Sequence, residues 1–99
     1  MLKNKIAFIG PGVMAEAMIA GLLRKKLAKP ENVIAAGPRE ERGNDLNKKY
    51  GIKVTTDNST AVSHADVVVL SIEPQRLREV IKGLKGIRSD ALIVSIIAG

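Results

Sequence analysis

The chain predicts an α/β fold, a doubly wound parallel sheet with helices on both faces. Three observations carry this. Short apolar, strand-like runs alternate with segments whose apolar residues recur at helical spacing, the pattern of strands joined by helical crossovers. A glycine-bearing turn, Gly10-Pro11-Gly12, lies between the first such run and the first helical stripe. The run Asp66-Val67-Val68-Val69-Leu70-Ser71-Ile72 is continuous and β-branched, the mark of a strand covered on both faces. With 99 residues, 45% of them hydrophobic, the chain suits one domain with a real core.

Residues 5–10 read as a buried strand. Residues 13–27 read as a helix: Met14, Met18 and Leu22 fall four apart, as do Ala15, Ile19, Leu23 and Leu27, forming one stripe. Its methionines are expected to fill the core, Met14 excepted because it sits in the turn. Arg24, Lys25 and Lys26 suit the carbonyl end of that helix, and Pro30 prevents its continuation. Residues 32–36 form a second strand, ended by Gly37-Pro38. Residues 39–50 are charged and helical, with Leu46 and Tyr50 facing the sheet and Gly51 as the stop. Residues 52–55 alternate and predict an edge strand. Asp57, Asn58, Ser59 and Thr60 are cap-type residues that begin a short helix ending near His64. After the β-branched run, residues 75–84 form a helix with Leu77, Val80, Ile81 and Leu84 on one side. Residues 91–97 predict a fifth buried strand. The expected strand order is 3-2-1-4-5.

Composition narrows the function. The chain has no cysteine, so a disulfide frame and a thiolate metal site are excluded, and a cytoplasmic location is expected. No segment reads as a signal peptide or membrane span. A net charge of +6 is compatible with a polyanionic partner. Phe8 and Tyr50 are the only aromatic residues, however, so a stacking platform for single-stranded nucleic acid is missing and no nucleic-acid partner is expected. Most of the basic residues read as solvated surface, with some of the excess serving a phosphorylated ligand.

The turn itself is specific. Gly10, Gly12 and Ala15 form G-x-G-x-x-A between a strand and a helix, the dinucleotide-binding arrangement of a Rossmann-like fold. Gly10 permits the sharp turn, Gly12 lets a pyrophosphate approach the backbone, and Ala15 lets the helix pack on the strand. The first amides of the helix, with its dipole, favour the anion. An NAD site usually places Asp or Glu at the end of the second strand. Here that position is Ala36 or Gly37, and Arg39 follows, a residue able to grip a 2′-phosphate through paired hydrogen bonds. NADP(H) is therefore expected over NAD(H). Arg42 lies one helical turn along; for it, the plainer reading as a helix-surface charge is stronger than for Arg39.

Gly10-Pro11-Gly12-Val13-Met14-Ala15-Glu16-Ala17-Met18 resembles the opening of the pyrroline-5-carboxylate reductases. The stretches Thr55–Asn58 with Ala65–Leu70, and Val94–Gly99, are similar to two further motifs of that family, so the likeness spans nearly the whole chain. The resemblance implies reduction of 1-pyrroline-5-carboxylate to proline with NAD(P)H, by an N-terminal nucleotide domain and a C-terminal helical domain that dimerises and completes the active site. On that implication these residues are the first of the two, the second is absent from the chain, and a homo-oligomer is expected only with it. It further implies that Ile9, Gly10, Pro11, Gly12, Val13 and Met14 line the pyrophosphate and nearby ribose. Gly37 would lie by the 2′-phosphate and Asn58 by the adenosine ribose. Ser71, Ile72, Glu73 and Pro74 would line the dinucleotide, and Ile96, Ile97 and Ala98 would flank the nicotinamide. Two positions depart from the family pattern: Glu73 stands where it has Lys, and Ile96-Ile97 where it has a small pair.

No catalytic residue is expected among the 99. Glu16 in the first helical turn is accounted for by the helix dipole. Ser71 has no His or Asp partner suggested by spacing, and His64 follows a short helix at the far end from the ligand. Two other readings stay open: a further NADP-dependent reductase of the β-hydroxyacid dehydrogenase type, and a non-enzymatic NAD(P)-sensing module.

Overall fold

A computed structural model describes residues 4–96. Five parallel strands form one sheet: β1 (Ile6–Ile9), β2 (Val33–Ala36), β3 (Lys53–Thr55), β4 (Val67–Leu70) and β5 (Leu92–Ser95), in the order β3-β2-β1-β4-β5. The connecting helices are α1 (Val13–Arg24), α2 (Glu40–Tyr50), α3 (Asn58–Val62) and α4 (Pro74–Gly83), with one 3-10 turn at Pro30–Asn32. This is the expected doubly wound order, and it reverses direction at β1, between β2 and β4.

Alternation along the central strands divides the core in two. Ile6 and Phe8 of β1 point to one face, where Ala15, Ile19, Val33, Ala35, Leu46, Ile52 and Val69 meet them. Ala7 and Ile9 point to the other, against Ala36, Ala61, Val62, Ala65, Val68 and Leu70. All four residues of β1 are buried, because it lies at the centre with a layer on each side.

Four expectations are corrected. Helix α1 ends at Arg24, short of residue 27. Lys26 adopts a left-handed conformation with φ of 56°, and the Lys26 and Leu27 amides turn back to the carbonyls of Leu23 and Leu22, closing the helix. Leu27 thus leaves the stripe and is exposed. Second, Met14 and Met18 are also exposed, so Met18 is not core filler. The two four-apart rows are one residue, about 100°, out of phase on the helix, and the sheet fully covers only the row of Ala15 and Ile19. Third, β5 is not buried: it is an edge strand, with Leu92 61% and Ile93 50% exposed. Only Val94 and the following Ile96 pack on the core, on the α1 face. Fourth, Ile81 of α4 is about half exposed, while Leu77, Val80 and Leu84 pack on the sheet.

The remaining ends follow their sequence signals. Gly51 closes α2 at φ of 74°, Asp57 caps α3 by accepting from the Ser59 amide, and Pro74 opens α4 at its first turn. No helix among the described residues is long and apolar enough to cross a membrane.

Candidate functional site

The carboxyl ends of β1, β2 and β4 open into a cavity of about 650 Å³, at the place where the strand order reverses. Its floor is the turn after β1. Gly10, at φ of 80°, takes a conformation that disfavours a side chain, and an added Cβ would stand 2.6 Å from the Ser71 carbonyl oxygen. The β1 turn and the loop after β4 therefore leave no room for a side chain at Gly10. Gly12 differs: nothing lies within 4 Å of an added Cβ, so its bare face borders open space. The Gly12 amide donates to the Gly10 carbonyl at 2.8 Å, and the Gly12 carbonyl accepts from Glu16 to begin α1. No side chain caps α1, so the Val13, Met14 and Ala15 amides have neither a helical nor a capping partner among the described residues.

The second wall comes from the end of β2. An added Cβ at Gly37 would lie 2.7 Å from Cδ of Pro11, so the absence of a side chain there lets the β2 turn close against the glycine loop. Arg39 precedes α2, lines the cavity, and makes no ion pair among the described residues. From the start of α3, Asn58 presents a buried Oδ1 with no hydrogen-bond partner. An orphaned buried acceptor carries a free-energy penalty unless a donor meets it, and a ribose hydroxyl is such a donor. The third wall is Ser71, Ile72 and Glu73, after β4, with Arg76 and Val80 of α4 beyond.

Glu16 and its partners lie at the edge of the cavity. Its carboxylate accepts from the Tyr50 hydroxyl at 2.7 Å and from Lys49 Nζ at 3.2 Å, and pairs with Arg42 Nη1 at 2.8 Å. These donors, the tyrosine first, hold the Glu16 pKa down at about 2. The same contact raises the pKa values of Tyr50 and Lys49 above their ordinary ranges. Arg42 also reaches the turn itself, donating from Nε to the Pro11 carbonyl at 3.0 Å and from Nη2 to that of Gly12 at 3.4 Å.

Of the residues singled out from sequence, the cavity brings together Ile9, Gly10, Pro11, Gly12, Val13, Gly37, Arg39, Asn58, Ser71, Ile72 and Glu73. It leaves out Met14, which is exposed on the first turn of α1, and Pro74, which is exposed on the first turn of α4. It also leaves out Ile96, which packs on the α1 side of the sheet. Ile97 and Ala98 lie outside the described residues. Sequence reasoning did not name Pro38, Thr56 or Arg76 as site residues, assigned Glu16 to the helix dipole and Val80 to the apolar side of its helix, and read Arg42 mainly as surface charge. Arg42 stood one turn from Arg39, a usable signal; Arg76 had none. His64 is exposed, outside this cavity, as expected. Among the described residues no group of three or more His, Cys, Asp or Glu could hold a metal.

Residues 5–99 match the family model for NADP oxidoreductases, coenzyme F420-dependent. The chain belongs to this family. It is also 40% identical, over its whole length, to the pyrroline-5-carboxylate reductase of Methanosarcina acetivorans, of which it spans 37%. Among solved structures, that of a pyrroline-5-carboxylate reductase from Coxiella burnetii superposes with a TM-score of 0.88 at 30% identity, over 99% of this chain and 37% of that one. The Plasmodium falciparum pyrroline carboxylate reductase, determined with NADP bound, gives 0.81 at 26% identity over 98% of this chain and 34% of the other. This family member thus has a pyridine-nucleotide-binding fold and spans little more than a third of the relatives it matches.

Proposed function

We propose that this chain is the nucleotide-binding portion of a pyrroline-5-carboxylate reductase and holds NADP(H) in the cavity above β1. The observation that carries the reading is the pairing of a bare Gly12 corner under unpartnered helix amides with the orphaned Oδ1 of Asn58. The first fits a diphosphate and the second a ribose hydroxyl. The substrate class rests on the 40% identity to a reductase of that name.

When bound, a reduced nicotinamide supplies the hydride for the C=N carbon of the cyclic imine, which yields proline. The residues of this chain bind and orient. The open amides at the start of α1 meet the diphosphate, and Asn58 accepts from the adenosine ribose. Arg39, without an ion pair among the described residues and beside the end of β2, meets the 2′-phosphate and gives preference to NADP(H) over NAD(H). Proton delivery to the imine falls outside this set. Glu16, with its pKa at about 2, is ionised at neutral pH and has no proton to give. Ser71 has no hydrogen bond to a base among the described residues. The missing proton donor and substrate contacts belong to the part of the relatives this chain does not span. A homo-oligomer is proposed only for the chain joined to that part.

Calorimetric titration tests this. The chain is expected to bind NADPH more tightly than NADH, and Arg39→Ala to weaken NADPH by about tenfold while leaving NADH unchanged. Absence of binding would sink the site assignment. An unchanged NADPH preference in the variant would sink the role of Arg39. Imine reduction is expected from the chain joined to the remaining portion, and none from the chain by itself; turnover by the chain alone would overturn the division of labour.

A further inference from the structure

Arg42 sits where a second phosphate ligand would be sought, yet its three guanidinium nitrogens already have protein partners. Nε donates to the Pro11 carbonyl, Nη2 to the Gly12 carbonyl, and Nη1 faces Glu16 at 2.8 Å. Glu16 is fixed in turn by Tyr50 and Lys49 from the last turn of the same helix as Arg42. Two ends of α2 thus grip one carboxylate on α1, and the guanidinium is clamped between that carboxylate and the turn.

This has a consequence for the turn. The carbonyl and amide of a trans peptide point in opposite directions. Pinning the Pro11 and Gly12 carbonyls toward α2 therefore turns the Gly12 and Val13 amides away from it. The Gly12 amide is closed on the Gly10 carbonyl, which leaves that of Val13 as the first open donor of α1. Gly12 has no side chain to restrict it, and the Pro11 carbonyl has Arg42 as its hydrogen-bond partner among the described residues, while the Gly12 carbonyl is shared between Arg42 and the Glu16 amide. We propose that Arg42 is the positioning residue of the nucleotide site: it sets the peptide planes of the glycine turn so that the Val13 amide meets the diphosphate, and it does not itself bind phosphate. The proposal rests on the nucleotide reading above. It assigns the two arginines different tasks, Arg39 to the 2′-phosphate and Arg42 to the part every such nucleotide shares.

The test is titration of the chain and its Arg42→Ala and Arg42→Lys variants with NADPH, NADH and ADP. The amide resonances of Gly12 and Val13 are followed by NMR without ligand. Arg42→Ala is expected to weaken all three ligands by a similar factor, about tenfold, and to shift the two turn amides while the β3 and β5 amides stay in place. Arg42→Lys keeps the charge and can still pair with Glu16, so it preserves the fold. A lysine lacks the planar fork needed to hold two carbonyls and a carboxylate together, so it is expected not to rescue binding. A loss confined to NADPH would make Arg42 a 2′-phosphate ligand and overturn the proposal. So would unchanged affinities, full rescue by lysine, or amide shifts spread over the whole sheet. If the parent chain bound none of the three, the nucleotide reading would fall and this proposal with it; binding by the parent that Arg42→Ala leaves intact overturns the proposal alone.

Discussion

Single residues in this chain do their work through backbone geometry as much as through side-chain chemistry. Gly10 combines a positive φ with a carbonyl 2.6 Å from where a Cβ would stand, so neither the conformation nor the space admits alanine. Gly10→Ala is expected to cost at least ~1–3 kcal/mol, from the backbone term alone, seen as a lower urea midpoint. Lys26 is the opposite case. It holds φ of 56° without being glycine, and Lys26→Gly is expected to stabilise the chain by about 1 kcal/mol in the same assay. Glu16 carries a pH signature. Its carboxyl is held at about 2 when folded against 4.5 as the ordinary value, so between these the unfolded chain binds more protons. The stabilisation from Glu16 is complete above pH 4.5 and is lost as pH falls toward 2. Glu16→Gln is expected to flatten acid unfolding over that window, measured by circular dichroism against pH.

At the scale of elements, burial sorts the strands sharply. The central β1 is closed off on both faces, while β5, at the edge, leaves Leu92 and Ile93 largely in water. Phe8→Ala is therefore expected to cost ~3–5 kcal/mol, whereas Leu92→Ala stays within about 0.5 kcal/mol, with both read from denaturant midpoints. A large loss at Leu92 would show that β5 is covered in solution. Helix α2 is the element whose role is least evident from its pattern. It is strongly polar, with Leu46 as its one buried residue, yet it supplies Arg42 to the turn after β1 and Lys49 and Tyr50 to Glu16 on α1. It packs tightly on β3 at Gly43, where an added Cβ would stand 3.3 Å from the Val54 side chain.

For the whole molecule, the site is a product of topology. β2 and β4 lie on either side of β1 because the order reverses there, and the loops that follow all three must then face one another. A ligand in that crevice binds only the folded chain, so NADPH at one hundred times its dissociation constant is expected to add ~2.7 kcal/mol of stability. A thermal melt that does not move with NADPH would contradict occupancy of the site. Much of this was legible in the residues in order. Hydrophobic periodicity gave the alternation of strands and helices, and the glycine spacing gave the corner under the helix amides, because both are local patterns with one physical meaning. Gly10, Gly12 and the acid-free end of β2 could be named on that basis, while Ile9, Pro11 and Val13 came from the resemblance to the pyrroline-5-carboxylate reductases. Contacts between distant segments could not. That Gly37 must stay bare for the sake of Pro11, that Gly10 abuts Ser71, and that Arg42 grips the turn while Arg39 makes no ion pair among the described residues are facts about segments apart in the chain. No periodicity encodes them, since they arise only when the crossovers bring the strand ends side by side. For the same reason β5, apolar enough to pass for a core strand, proved an exposed edge: hydrophobicity says that a strand can be buried, and only the arrangement of the layers says whether anything covers it.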